Sequence, residues 1–224
     1  MTNVDHATTG RKSAAGGTTT TRRLLACGVA AGPIYLAVAA VQVVTRDGFD
    51  LTRHPLSLLS LGPGGWIQIA NFVVSGVLFV AGAVGMRRAM TAGIGRTWVP
   101  RLIGLFGFSS VWAGVFVADP IDGFPTTAGT SDPTVYGVLH SIAPVVAFLA
   151  LIAASIVLAR RYLREGRRAW GVYSAVVGVT LLAPDLLLGR DGFSLALAVA
   201  AVVGWTWVSA VVADLLRTTG GYLS

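Results

Sequence analysis

Two histidines, a serine and a set of aspartates and arginines carry the chemistry this chain could do, and they gather between apolar stretches on one side of it. Asp119 stands in an Asp-Pro pair, His140 lies just inside an apolar run, and Asp185 follows Pro184 near the end of another. An imidazole and carboxylates at one mouth could bind a divalent metal or relay a proton. The segment Arg53-His54-Pro55-Leu56-Ser57 adds a guanidinium suited to a lipid phosphate, with His54 or Ser57 as base or nucleophile. Catalytic candidates are therefore His54, Ser57, Asp119, His140 and Asp185, and ligand-binding candidates are Arg53 and Arg190. Each also has a structural reading. Asp119 could end a helix and bond the turn before Pro120, His140 could pair with one carboxylate, Asp185 with Arg190, and Arg53 with an aspartate in a loop plug. No metal site is predicted, because His-x-x-x-His and His-Glu-x-x-His are absent and only His54 and His140 lie on this side. No cofactor can be read from the residues.

The elements that must position these groups are six apolar stretches, each long enough to cross a bilayer, at about 24–44, 66–86, 102–118, 136–159, 170–188 and 195–216. With the amino terminus in the cytoplasm, all Lys and Arg fall inside except Arg46, Arg53 and Arg190, the asymmetry that sets membrane orientation. The fold class is all-α: six transmembrane helices in three antiparallel hairpins, both termini inside, spanning 24–216 between cytoplasmic tails at 1–23 and 217–224. A chain 54% hydrophobic and 12% charged has too little polar surface to cover a soluble globule, so lipid must solvate it. The net charge of +7 would point to nucleic acid in a soluble protein, but these cations sit in short loops beside helix ends and can touch anionic lipid heads.

Residues 1–23, with Gly, Ser and a run of Thr, have no apolar face and are expected to be disordered. Arg22-Arg23-Leu24-Leu25-Ala26-Cys27 resembles both an export signal and a lipoprotein box. The box stands at the start of the apolar run rather than its end, so an uncleaved first span is expected.

Asp-Gly-Phe recurs in the three outer connections, at 47–49, 122–124 and 191–193. A repeated hairpin unit would leave this trace, and so would plain turn chemistry, since Asp-Gly closes tight turns and Phe suits the interface. Small residues every fourth position (Gly28 and Gly32; Ser110, Gly114 and Ala118; Ser174 and Gly178; Ala196, Ala200 and Gly204) make ridges for close helix approach within the chain or in a homo-oligomer. Pro33, Pro144 and Pro184 predict kinks. The loop 45–65 starts a short helix at Pro55 and stops at Gly62-Pro63-Gly64-Gly65, which reads as an interfacial cap on the bundle mouth.

Arg53-His54-Pro55-Leu56-Ser57-Leu58-Leu59-Ser60-Leu61-Gly62, then Gly65-Trp66-Ile67-Gln68-Ile69-Ala70-Asn71-Phe72, with Gly114–Pro120, Gly123-Phe124-Pro125 and Leu139-His140-Ser141, resemble a family of bacterial six-pass membrane proteins catalogued as a domain of unknown function. The resemblance covers roughly 24–216 and implies the fold and topology above, in the bacterial cytoplasmic membrane, with no established activity. The zinc-dependent ceramidase-like membrane hydrolases are a poor match without His-x-x-x-His. Three functions remain: a non-catalytic lipid-associated or regulatory protein with lipids or a membrane protein as partner, an enzyme acting on an apolar substrate at the outer surface, and a small transporter. Transport ranks last, because only uncharged groups such as Gln42, Asn71 and Ser75 lie within the spans.

Overall fold

The computed structural model describes residues 5–126 and 132–220, with side chains from residue 17 onward except at 185 and 220. Among these residues all regular structure is helical: α1 (Asp5–Thr45), a 3-10 helix (Leu56–Ser60), α2 (Gly65–Ala89), α3 (Trp98–Val115), α4 (Val135–Arg164), α5 (Arg168–Thr180), α6 (Ala183–Leu186) and α7 (Phe193–Gly220). Four helical segments, Gly17–Thr45, Gly65–Ala89, Val135–Arg164 and Phe193–Thr219, are long and apolar enough to cross a membrane. Their outward faces are Val, Leu and Trp, with Val44 81% exposed and Val135 73% exposed. Such a surface associates in water and is at ease in lipid.

The other two expected spans are shorter. Helix α3 has 18 residues, about 27 Å of helix, and α5 has 13, about 20 Å, against a hydrocarbon core of about 30 Å. The segment expected as one helix over 170–188 breaks after Thr180, the residue whose carbonyl the Pro184 ring would strike, and resumes as the single turn α6. Pro33 and Pro144, by contrast, sit inside unbroken helices. At the other extreme α1 begins at Asp5, so residues 5–23, read from composition as a disordered tail, continue the helix; no proline stops its propagation from the apolar span. Residues 1–4 and 221–224 lie outside the described residues.

Packing follows the small-residue ridges. Helix α2 lies between α1 and α3, α3 packs on α4, α4 on α5, and α7 on α1. A Cβ added to Gly28 would come within 2.9 Å of the Gly82 backbone, so α1 and α2 touch main chain to main chain at that level. Gly32 meets α7 in the same way: its N–H donates to the Ser209 hydroxyl at 3.2 Å, and that hydroxyl donates to the Gly28 carbonyl at 3.2 Å. Between the helices runs a stack of rings, Phe79 to Phe106 at 4.8 Å, Phe106 to Trp205 at 4.6 Å and Trp205 to Tyr35 at 5.1 Å. The loop 46–64 folds over one end of the bundle, with Leu58 and Leu59 of the 3-10 helix buried, as its leucines require.

Candidate functional site

The loops at one end of the bundle are closed by His54. Its backbone N–H donates to the Asp50 carbonyl at 2.7 Å, and its ring Nδ1 accepts the Asp50 N–H at 2.9 Å, so one residue grips both ends of another. Accepting at Nδ1 puts the proton on Nε2, which faces the Asp122 carbonyl at 3.4 Å. Phe49 and Phe124, from two of the Asp-Gly-Phe turns, flank the imidazole with ring centres at 5.6 and 5.3 Å. Those turns depend on the glycines at 48, 123 and 192, all with positive φ, as turn chemistry expects. His54 is thus buried with both nitrogens committed, in the position of a loop clasp rather than a free base. Asp50 itself is held below the ordinary carboxylate range by the Thr52 hydroxyl and N–H.

Arg46 completes the clasp. Its guanidinium donates to the carbonyls of Leu59 (3.2 Å) and Leu61 and lies over the Phe124 ring at 5.7 Å, fixing the end of the 3-10 helix to the end of α1. Sequence reasoning treated Arg46 only as one of the few outer cations. The available signal was its place directly after a span, within reach of a loop that must fold back.

Asp119 and His140 both join α3 to α4, but to different partners. The Asp119 carboxylate accepts from the Thr134 N–H at 2.8 Å and the Thr134 hydroxyl at 2.6 Å, while that hydroxyl caps α4 by accepting from Gly137 N–H at 3.0 Å. A Cβ at Gly137 would lie 2.0 Å from the same carboxylate, so only glycine admits it. His140 Nδ1 is 2.6 Å from the Phe116 carbonyl and 3.2 Å from that of Ala113, where α3 ends. Facing carbonyls, Nδ1 carries the proton, and Nε2 is left as an acceptor with no protein partner among the described residues.

His140 lies in the wall of a cavity of about 100 Å³ enclosed by α1, α2, α3, α4, α7 and the 3-10 helix. The wall is mostly apolar, with Phe72, Ala143, Phe148 and the rings of Tyr35 and Trp205, and four polar side chains interrupt it: Ser57, Ser109, Ser110 and His140. Ser110 satisfies its hydroxyl on the Phe106 carbonyl, yet Ser109, beside it and buried, makes no such bond. Helices α4 and α7 line this cavity from facing sides and pack only sparsely on each other, while the chain after α5 packs on α7. Behind Tyr35 a buried polar chain joins α1 to α2: Gln42 Nε2 donates to Gln68 Oε1 at 2.8 Å, Gln68 Nε2 to Tyr35 Oη at 3.2 Å, and Asn71 Nδ2 to the Tyr35 carbonyl at 3.1 Å.

Of the residues predicted from sequence, Ser57 and His140 meet at this cavity. Arg53 and Arg190 meet instead in a second, wetter cleft of about 500 Å³, with Asp122, Asp191 and Ser194. Arg53 donates to the Asp122 carbonyl at 3.2 Å, and its own carbonyl accepts from Ser194 at 2.8 Å. The side chain of Asp185 lies outside the described residues. Among the described residues no three His, Cys, Asp or Glu side chains gather as metal ligands would. Ser109 was missed: a serine inside an apolar run reads as packing, and only its being one of two adjacent serines, which cannot share a face, marked it.

Residues 29–214 match the model of a family described as Protein of unknown function (DUF998). No curated protein and no solved structure matches the chain.

Proposed function

We propose that this chain, which belongs to the DUF998 family, is a six-pass protein of the bacterial cytoplasmic membrane that holds a membrane lipid without transforming it. In this reading α3 and the broken pair α5 and α6 serve as the third and fifth passes, and both termini are cytoplasmic. Membrane lipid is the partner; nucleic acid has no part.

The observation that carries the proposal is the cavity onto which the Ser57 and Ser109 hydroxyls and His140 Nε2 open, none of them with a protein partner among the described residues, within a mostly apolar wall. A cleft that is mostly apolar with a few convergent polar groups is what a small amphiphile requires. At about 100 Å³ it is smaller than the roughly 150 Å³ dry cavity that accepts benzene, so it takes a segment of chain rather than an entire lipid. The gap between α4 and α7 supplies an entry from the bilayer. Against catalysis stands the hydrogen bonding: among the described residues nothing bonds Ser57 Oγ to a base, Asp119 is spent on Thr134, and His140 is oriented by carbonyls rather than by a carboxylate.

One observation favours the second reading, a lipid-acting enzyme: Ser57 and His140 line one cavity. The two are separated by filling the cavity. Ala143→Leu, or Ala201→Leu on the facing helix, should leave the purified protein folded by thermal melting and remove most co-purifying lipid seen by native mass spectrometry. Unchanged lipid content in both folded variants would overturn the proposal. Turnover of a bound lipid that disappears in Ser57→Ala, with retention intact, would establish the enzyme instead.

A further inference from the structure

We infer that the cleft of Arg53 and Arg190 receives the headgroup of a zwitterionic phospholipid, a phosphate joined to a primary ammonium, whose chain enters the apolar cavity beside it. The inference rests on the lipid-holding reading and names the lipid class.

Continuity is the first ground. Pro55 stands in the wall of both the apolar cavity and the polar cleft, so the two adjoin across one residue. An amphiphile with its chain in one has its head at the other. Charge is the second ground. The cleft exposes two guanidinium groups, Arg53 and Arg190, and two carboxylates, Asp122 and Asp191. Among the described residues the ion pairs are Arg161 with Glu165 and Arg167 with Asp214, so these four charges are not neutralised by one another. Arg53 spends one donor on the Asp122 carbonyl and keeps the rest of its fork for an oxyanion. A phosphate alone would meet the guanidinium groups but be repelled by the carboxylates, and a bare cation the reverse. A headgroup carrying both signs satisfies all four. The cleft, at about 500 Å³, is roomy enough for the head and its waters.

The full chain, delipidated in detergent, would be offered phosphatidylethanolamine, phosphatidylglycerol and diacylglycerol with identical oleoyl chains, and retention read by native mass spectrometry. The wild-type protein should retain phosphatidylethanolamine several-fold over phosphatidylglycerol. Arg53→Gln with Arg190→Gln should lower phosphatidylethanolamine retention about tenfold while leaving diacylglycerol unchanged. Asp122→Asn with Asp191→Asn should move the preference toward phosphatidylglycerol, a gain that a damaged protein would not show. Equal retention of the two phospholipids by the wild type, or an arginine variant indistinguishable from it, overturns the headgroup assignment. Ala143→Leu reports separately on the cavity: if it spares all three lipids while the arginine variant loses phosphatidylethanolamine, the cavity reading fails and the headgroup site stands.

Discussion

A histidine four residues from an aspartate's peptide, or twenty-one residues from its carboxylate, invites pairing with that acid, and neither histidine here takes it. His54 binds the Asp50 backbone, not its carboxylate, and His140 binds the carbonyls that end α3 while Asp119 binds Thr134. Which of several acceptors within one turn a side chain chooses is decided by an ångström or so of backbone placement, and residue types do not encode that. The bonding pattern predicts the outcome of two double-mutant cycles. Asp119→Ala and Thr134→Val share the loss of the carboxylate–hydroxyl bond, while the first also frees the Thr134 N–H and the second the Gly137 N–H, so each should cost about 1–2 kcal/mol and the pair clearly less than the sum of the two. Asp119→Ala with His140→Ala should add to within about 0.5 kcal/mol, because the two side chains share no bond. Unfolding in detergent measures both cycles. Coupling of Asp119 to His140 as large as to Thr134 would restore them as a functional pair.

At the scale of the helix, the legible features were those set by local chemistry. The apolar runs located α2, α4, α7 and the end of α1 to within about five residues, though not the start of α1, the Gly28 and Gly32 ridge lies where helices α2 and α7 come close, and the Asp-Gly turns have the backbone their glycines permit. Pro184 was legible as a disturbance but not as a break, since Pro33 and Pro144 lie in helices that continue through them. The difference is position: Pro184 falls near the end of its segment, where few hydrogen bonds beyond it remain to hold the helix together. Replacing it tests that account. Pro184→Ala restores an N–H and removes the clash with the Thr180 carbonyl, so α5 should run on through Leu186 and cover the gap between α4 and α7. Hydrogen exchange at 181–186 should slow, and lipid retention should fall as the entry closes. Exchange unchanged from wild type would mean that the loop, not the proline, sets the break.

Across the whole molecule the two ends use arginine differently. At one end Arg161 donates to the carbonyls of Ala92 and Ile94 at 3.2 and 3.1 Å, and Arg167 grips Asp214 at 2.9 and 2.6 Å while lying 4.8 Å from Tyr162 and 5.6 Å from Trp170. Around them Arg87, Arg88, Arg160, Arg164 and Arg168 occupy helix ends with no such bonds, a band of free cations suited to anionic lipid heads. At the opposite end Arg46 is committed to the 3-10 helix and only Arg53 and Arg190 reach the cleft. The contact of Gly93 with Arg161 places the connections after α2 and after α4 together, and the contact of Gly62 with Pro125 places the loops after α1 and α3 together at the far side. A charge difference this large between two ends of one bundle is of the kind that orients insertion, and the proposed topology puts the arginine-rich end in the cytoplasm. Reporter fusions after Arg88 and Arg161 should therefore remain cytoplasmic, and one after Pro125 should be exported. Because α3 is only about 27 Å long, the decisive pair is Arg88 with Pro125: both on one side would mean that α3 does not cross. The cleft of Arg53 and Arg190 would then face a different compartment from the one proposed, and the lipid it meets would belong to the other leaflet.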